Sequence, residues 1–185
     1  MHSLRTWILI SFLAVGLLVA QFALASIPNV EFVSLLFILM SLFLPLSATV
    51  LVSLLFTILQ MLLWGMGDWV IGYLWIWPVW VLIIHAFKSI NKDHADRWAI
   101  LSGLWGFLFG ALFAIHHGVL YGFNTMIAYY IRGISFDIIH GVSNYIITSL
   151  AFTPLSVVIL KLARQYQGER YESHDKNRRS RTDRS

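Results

Sequence analysis

The chain has 185 residues, 58% of them hydrophobic and 12% charged, with a net charge of +4. A soluble domain carries about 25% charged residues, so residues 1–160, with five basic and five acidic side chains, read as a polytopic membrane domain. There is no cysteine, which excludes disulfides, iron–sulfur clusters, thiolate metal sites and thiol redox chemistry, and eight of the 13 Lys and Arg lie in the last 25 residues, so the basic charge marks a tail rather than a nucleic-acid surface.

Six spans are expected. The first covers residues 7–26. The stretch "SIPNVEFVSLL" (26–36) then brings a proline turn and Glu31, the only acidic residue among the first 67. The second span, 32–44, is short for a bilayer of about 30 Å, which needs roughly 20 residues. Either it starts in a loop that dips into the membrane, or its boundary with the third span lies elsewhere. Pro45 turns the chain into the third span, 47–64, and "GMGD" (65–68) ends it. The fourth span covers 69–87, with Pro78 expected to kink it and free a carbonyl. A polar loop at 88–97 leads to the fifth span, 98–117. "HGVLYGFN" (117–124) is a break, and "TMIAYYIRG" (125–133) a short segment before the sixth span, 135–162, where Pro154 should introduce a kink. This divides the chain into a six-helix membrane domain, 1–163, and a basic tail, 164–185, either disordered or lying along the membrane surface.

Arg5, the loop with Lys88, Lys92 and Arg97, and the basic tail fall on one side of a six-span layout. The positive-inside rule then makes both termini cytoplasmic and places Glu31, Asp68 and residues 117–124 on the outer face. Arg5, the apolar stretch after it and "ALA" (23–25) also resemble a cleavable signal peptide, whose loss leaves five spans and the same side for the tail.

Candidate chemistry collects toward that outer face. Asp137, His140 and Asn144 recur at i, i+3 and i+7, with Thr148 one turn further, so they share one helix face. Ionisable groups in an apolar span face partners or a water-filled cavity. The face is either a structural network between helices or the wall of a ligand pocket, and in both cases Arg132 is the available ion partner for Asp137. Trp69, Tyr73, Trp77 and Trp80 share a broad face of the fourth span, while Trp75 points elsewhere. They form an interfacial aromatic belt or a surface that stacks on a flat ligand or a cation. His116 and His117, followed by Tyr121 and Asn124, point in different directions and make a poor metal pair. No metal or cofactor site is assigned. Glu31 is either a charge favoured by a helix N-terminus or a ligand contact. In the first span, Gly16 and Ala20 stand four apart, suited to internal packing or to the close approach of another helix. No enzyme signature occurs: no Gly-x-Ser-x-Gly, no His-Glu-x-x-His and no phosphate-binding loop.

Three segments resemble a known family. "IPNVEFVSLL" after the first helix, "GMGDWVIGYLWIWP" entering the fourth, and "GISFDIIHGVSNYIITSLAFTPL" in the last are similar, in order and spacing, to segments of the substrate-binding S components of energy-coupling factor (ECF) vitamin transporters. The resemblance implies a six-helix protein of the bacterial cytoplasmic membrane. Such a protein captures a vitamin or its precursor near the outer surface, under loops that include the one after helix one. It then docks on a transmembrane scaffold subunit driven by two cytoplasmic ATPases. For such a protein the expected substrate-binding residues here are Glu31, Trp69, Tyr73, Trp77, His117, Tyr121, Asn124, Asp137, His140 and Asn144. Gly16 and Ala20 stand where the family has an Ala-x-x-x-Ala-like scaffold contact. The chain departs from the family in its second span, which has Ser41 and Ser47 in place of glycines, and in its long basic tail.

The expected function is therefore that of a non-enzymatic capture component, with a micronutrient, the lipid bilayer, the scaffold and the ATPases as partners. The alternative is a stand-alone permease using Asp137 and His140 as a proton relay, against which the lack of an inverted repeat argues. A membrane-embedded hydrolase lacks a nucleophile motif. A purely structural protein leaves the polar residues of the outer face unexplained.

Overall fold

The computed structural model describes the backbone of residues 4–91 and 94–182, with the side chains of those residues up to 159 except Arg5. Among the described residues the chain is all-helical: α1 (Leu4–Ala23), α2 (Val33–Phe43), α3 (Leu46–Trp64), α4 (Asp68–Asn91), α5 (Ala95–Tyr121) and α6 (Phe123–Thr182). Five are long and apolar enough to cross a membrane, and α2, with 11 residues, is the short one.

The element boundaries follow local chemistry. Pro45, with φ −67° and ψ 154°, precedes α3 and its carbonyl accepts the N–H groups of Ala48 and Thr49. Gly65 and Gly122 follow α3 and α5 at φ 83° and 90°, a region that only glycine enters without strain. Two expectations need correction. The polar stretch 88–97 is mostly not a loop: α4 runs on to Asn91 and α5 begins at Ala95, because Lys, Arg and Ser continue a helix at little cost. The break expected at 117–124 shrinks to Gly122, and residues 125–133 belong to α6 rather than to a separate segment. Gly118 is a packing residue, since a Cβ there would lie 2.9 Å from the Cβ of Met126. Pro154 sits inside α6, which continues past it. The expected boundary at 163/164 also falls within this helix, where the side chains lie outside the described residues, as they do for the basic tail.

The short helix organises the bundle. All five other helices pack on α2, while α1 lies against α3, α3 against α4, α4 against α5, and α5 against α6. Among the described residues α1 and α6 make no mutual contact, and α2 bridges them. The centre is aromatic. Phe37 of α2 lies 5.2 Å from Trp77 and 6.2 Å from Phe56, and Trp80 stacks on Trp105 at 4.8 Å. Lipid tails are as apolar as leucine, so interlocking shape and buried hydrogen bonds are what hold such a bundle in a bilayer.

Both ends of α2 meet complementary groups. Glu31 accepts the N–H of Ser34 at 2.8 Å at the N-terminal end. At the other end Lys88 Nζ reaches the Ser41 carbonyl at 3.5 Å, and His85 Nε2 lies 3.4 Å from that of Leu44. An acid at the start and basic groups at the end suit the helix dipole.

Candidate functional site

The site begins with the segment 24–32. Val30 N–H donates to the Ile27 carbonyl at 3.3 Å across Pro28 and Asn29. Proline at the second turn position and Asn29 at φ 60° in the third meet the demands of a type II turn. Ser143 of α6 donates its hydroxyl to the Asn29 carbonyl at 2.8 Å, which ties the turn to the last helix.

Beyond this turn the chain re-enters the bundle. α1 ends level with α3, as the stacking of Phe22 on Trp64 at 5.6 Å shows. Ser34, however, accepts the indole N–H of Trp80 on its carbonyl at 3.2 Å. Trp80 lies about 18 Å along α4 from Asp68, at roughly 1.5 Å per residue. Irregular chain thus covers part of the depth of the bundle before α2 begins.

Glu31 arrives there 7% exposed. Its Oε1 lies 3.3 Å from His140 Nε2 of α6, and Oε2 holds the Ser34 N–H. Asn144 donates to the Ser34 hydroxyl at 3.2 Å. Burial works against the charge of Glu31, and the Ser34 N–H and the His140 ring nitrogen are the partners that offset it.

The polar face read from the spacing of α6 exists: His140, Asn144 and Thr148 are buried, and Asp137 is half-buried. Asp137 Oδ1 accepts the backbone N–H of Gly110 at 3.1 Å. Asp137 Oδ2, His140 Nδ1, Thr148 Oγ1 and the indole nitrogens of Trp77 and Trp105 are buried with no hydrogen-bond partner. The expected ion pair with Arg132 does not form. That side chain is exposed, and the ion pairs among the described residues are His140–Glu31 and His94–Asp96. Arg132 sits five residues from Asp137, and at about 100° per residue that places it off the buried face.

The remaining candidates fall into two places. Trp77 is 2% exposed in the core, 5.2 Å from Phe37 and 5.3 Å from Phe109, so neighbouring rings surround it. Trp69 and Tyr73 are half-buried and meet edge to face at 5.4 Å. His117 stacks on Tyr129 at 4.3 Å and on Tyr121 at 5.8 Å, and Tyr121 donates its hydroxyl to Asp68. His116 reaches the Asp68 carbonyl at 3.0 Å. Asn124 is exposed at the start of α6. Of the aromatic group Trp69, Tyr73, His117 and Tyr121, Tyr73 connects inward through Phe109, which lies 6.2 Å from it and 5.0 Å from His140. Tyr73 is also within electrostatic reach of Glu31.

Gly16 lies on an exposed face of α1, with nothing within 4 Å of where its Cβ would be, and Ala20 is half-buried. Internal packing therefore does not use Gly16.

Several residues of the site escaped the sequence reading. Ser34 and Ser143 are too common to single out, and Tyr129 lay in a segment read as a connector. The glycines of α5 did carry a signal. Gly103, Gly106 and Gly110 repeat at i, i+3 and i+7, the same spacing as Asp137, His140 and Asn144. A Cβ on Gly106 would lie 2.7 Å from the His140 carbonyl oxygen, and one on Gly110 would overlap the Asp137 carboxylate. The glycines are what let α6 press its polar face against α5.

The fold and site define an all-helical protein with apolar helices suited to a membrane and a polar cluster between them. Comparison with protein-family models, curated proteins and solved structures finds no match for this chain.

Proposed function

We propose that the chain is the substrate-capture component of an ECF-type importer in the bacterial cytoplasmic membrane, with both termini cytoplasmic. It takes a vitamin or vitamin precursor at its outer face. The observation that carries this reading is the pairing of Glu31, borne on an irregular segment that re-enters the bundle, with His140 on the buried polar face of α6. Irregular backbone at membrane depth is tolerated where it is buried in protein or lines a cavity. It is the natural element to part from α6, being held by side-chain bonds rather than by helix packing.

In this reading the ligand passes the aromatic mouth, the 24–32 segment parts from His140 and Ser143, and the polar face of α6 receives the ligand. The segment then closes over it. The open face of α1 around Gly16 meets the scaffold subunit, whose two ATPases supply the energy. Nothing in the chain's own motifs supplies it.

The test is mass spectrometry of small molecules that co-purify with the chain. A micronutrient recovered with the native protein and lost from Glu31→Gln supports capture at this site. A micronutrient retained undiminished by that variant contradicts it.

A further inference from the structure

The polar cluster has an unbalanced charge. Two carboxylates, Glu31 and Asp137, share one imidazole, His140, which faces Glu31 at 3.3 Å and is within electrostatic reach of Asp137. If His140 is neutral, both carboxylates lack a counter-charge. If it is protonated, one still does. The basic side chains among the described residues do not help. Lys88 and Arg97 hydrogen-bond to backbone carbonyls at the opposite end, and Arg132 is exposed. A carboxylate inside an apolar bundle is costly without a partner.

The carboxylates and the imidazole leave two acceptors unpartnered, apart from the unpaired indole N–H groups of Trp77 and Trp105. Glu31 Oε1 and Oε2 are occupied by His140 and by Ser34. Asp137 Oδ1 is occupied by Gly110, which leaves Oδ2, an acceptor when the group is ionised. When His140 Nε2 carries the proton that faces Glu31, its Nδ1 is an acceptor too. That atom has no partner although His140 is only 4% exposed. The two acceptors stand one helical turn apart on one face, beside the ring of Phe109 at 5.0 Å from His140.

We propose that the ligand is a small, flat organic cation bearing at least two N–H donors, of the amidine or aminoheterocycle class, held across Asp137 Oδ2 and His140 Nδ1. This rests on the capture reading above. The cation supplies the missing counter-charge, its donors satisfy the two acceptors, and its ring lies among Phe109 and the aromatics toward the mouth. A carboxylate or phosphate ligand would add negative charge to a cluster that already has an excess. It would also present acceptors to Asp137 Oδ2 and His140 Nδ1.

Two planar probes of matched shape and opposite charge test this. The full chain, purified in detergent, is titrated with benzamidine and with benzoate while its thermal unfolding is followed. Asp137→Asn is the informative variant, because an asparagine oxygen still accepts from Gly110 while its NH2 replaces the free acceptor with a donor. Benzamidine should raise Tm of the native chain and benzoate should not. In Asp137→Asn the apparent Kd for benzamidine should rise about tenfold or more, with the Tm of the unliganded protein retained. Stabilisation by benzoate, an undiminished benzamidine effect in Asp137→Asn, or no shift with either probe overturns the charge assignment. Capture has its own readout in the co-purifying molecule. If that molecule is an anion or lacks N–H donors, the cation assignment falls while capture stands.

Discussion

Glu31 and His140 are 109 positions apart in the chain, yet their side chains meet at 3.3 Å inside the bundle. One sits on the irregular segment before α2 and the other on α6, so the contact joins an irregular segment to a long helix. Removing one partner of a buried pair costs about 3–5 kcal/mol, because the other is left uncompensated. Glu31→Ala should lose that amount together with the bond to Ser34. Glu31→Gln keeps an acceptor for Ser34 and should cost only about 1–3 kcal/mol. Thermal unfolding of the two variants in detergent measures the difference, and equal losses would show that the bond to Ser34 adds nothing.

Gly106 is required for the approach of α6. A Cβ there would meet the His140 backbone at 2.7 Å, so Gly106→Ala should destabilise the chain by about 1–3 kcal/mol, the usual cost of overpacking. Gly106→Ala should also weaken ligand binding by displacing His140. Stability equal to that of the native chain would show that the helix pair can spread without penalty.

Gly16 should behave in the opposite way. Nothing lies within 4 Å of its Cβ position, so Gly16→Leu should leave stability and ligand binding of the isolated chain unchanged. On the proposed function it should reduce recovery of the scaffold subunit in pull-down from membranes. Unchanged recovery would remove this face of α1 from the contact.

Much of this arrangement was legible because helical periodicity is a strong signal. The spacing of Asp137, His140, Asn144 and Thr148 fixed a shared face, and Pro28-Asn29 announced a turn. The short second span allowed a chain that dips inward, beside a boundary that lies elsewhere. What stayed hidden depends on tertiary contact. No local rule sends Ser34 to Trp80, Asn144 to Ser34, or Asn29 to Ser143. Arg132 looked like a partner for Asp137 by proximity in sequence, but five residues along a helix turn it away. The breaks at 88–97 and 117–124 were overread because polar residues and glycines resemble loops. Here they extend helices or let them touch.

On the proposed function the chain captures a ligand but does not transport it alone. Uptake of the co-purifying molecule, measured in bacterial cells that express the chain with and without an ECF scaffold and its ATPases, tests this most directly. The expected result is binding by the purified chain in both cases, and accumulation inside cells only when the energising subunits are present. Accumulation that persists without them, and that collapses when the proton gradient is dissipated, would contradict the account and favour a permease with Asp137 and His140 as its proton relay.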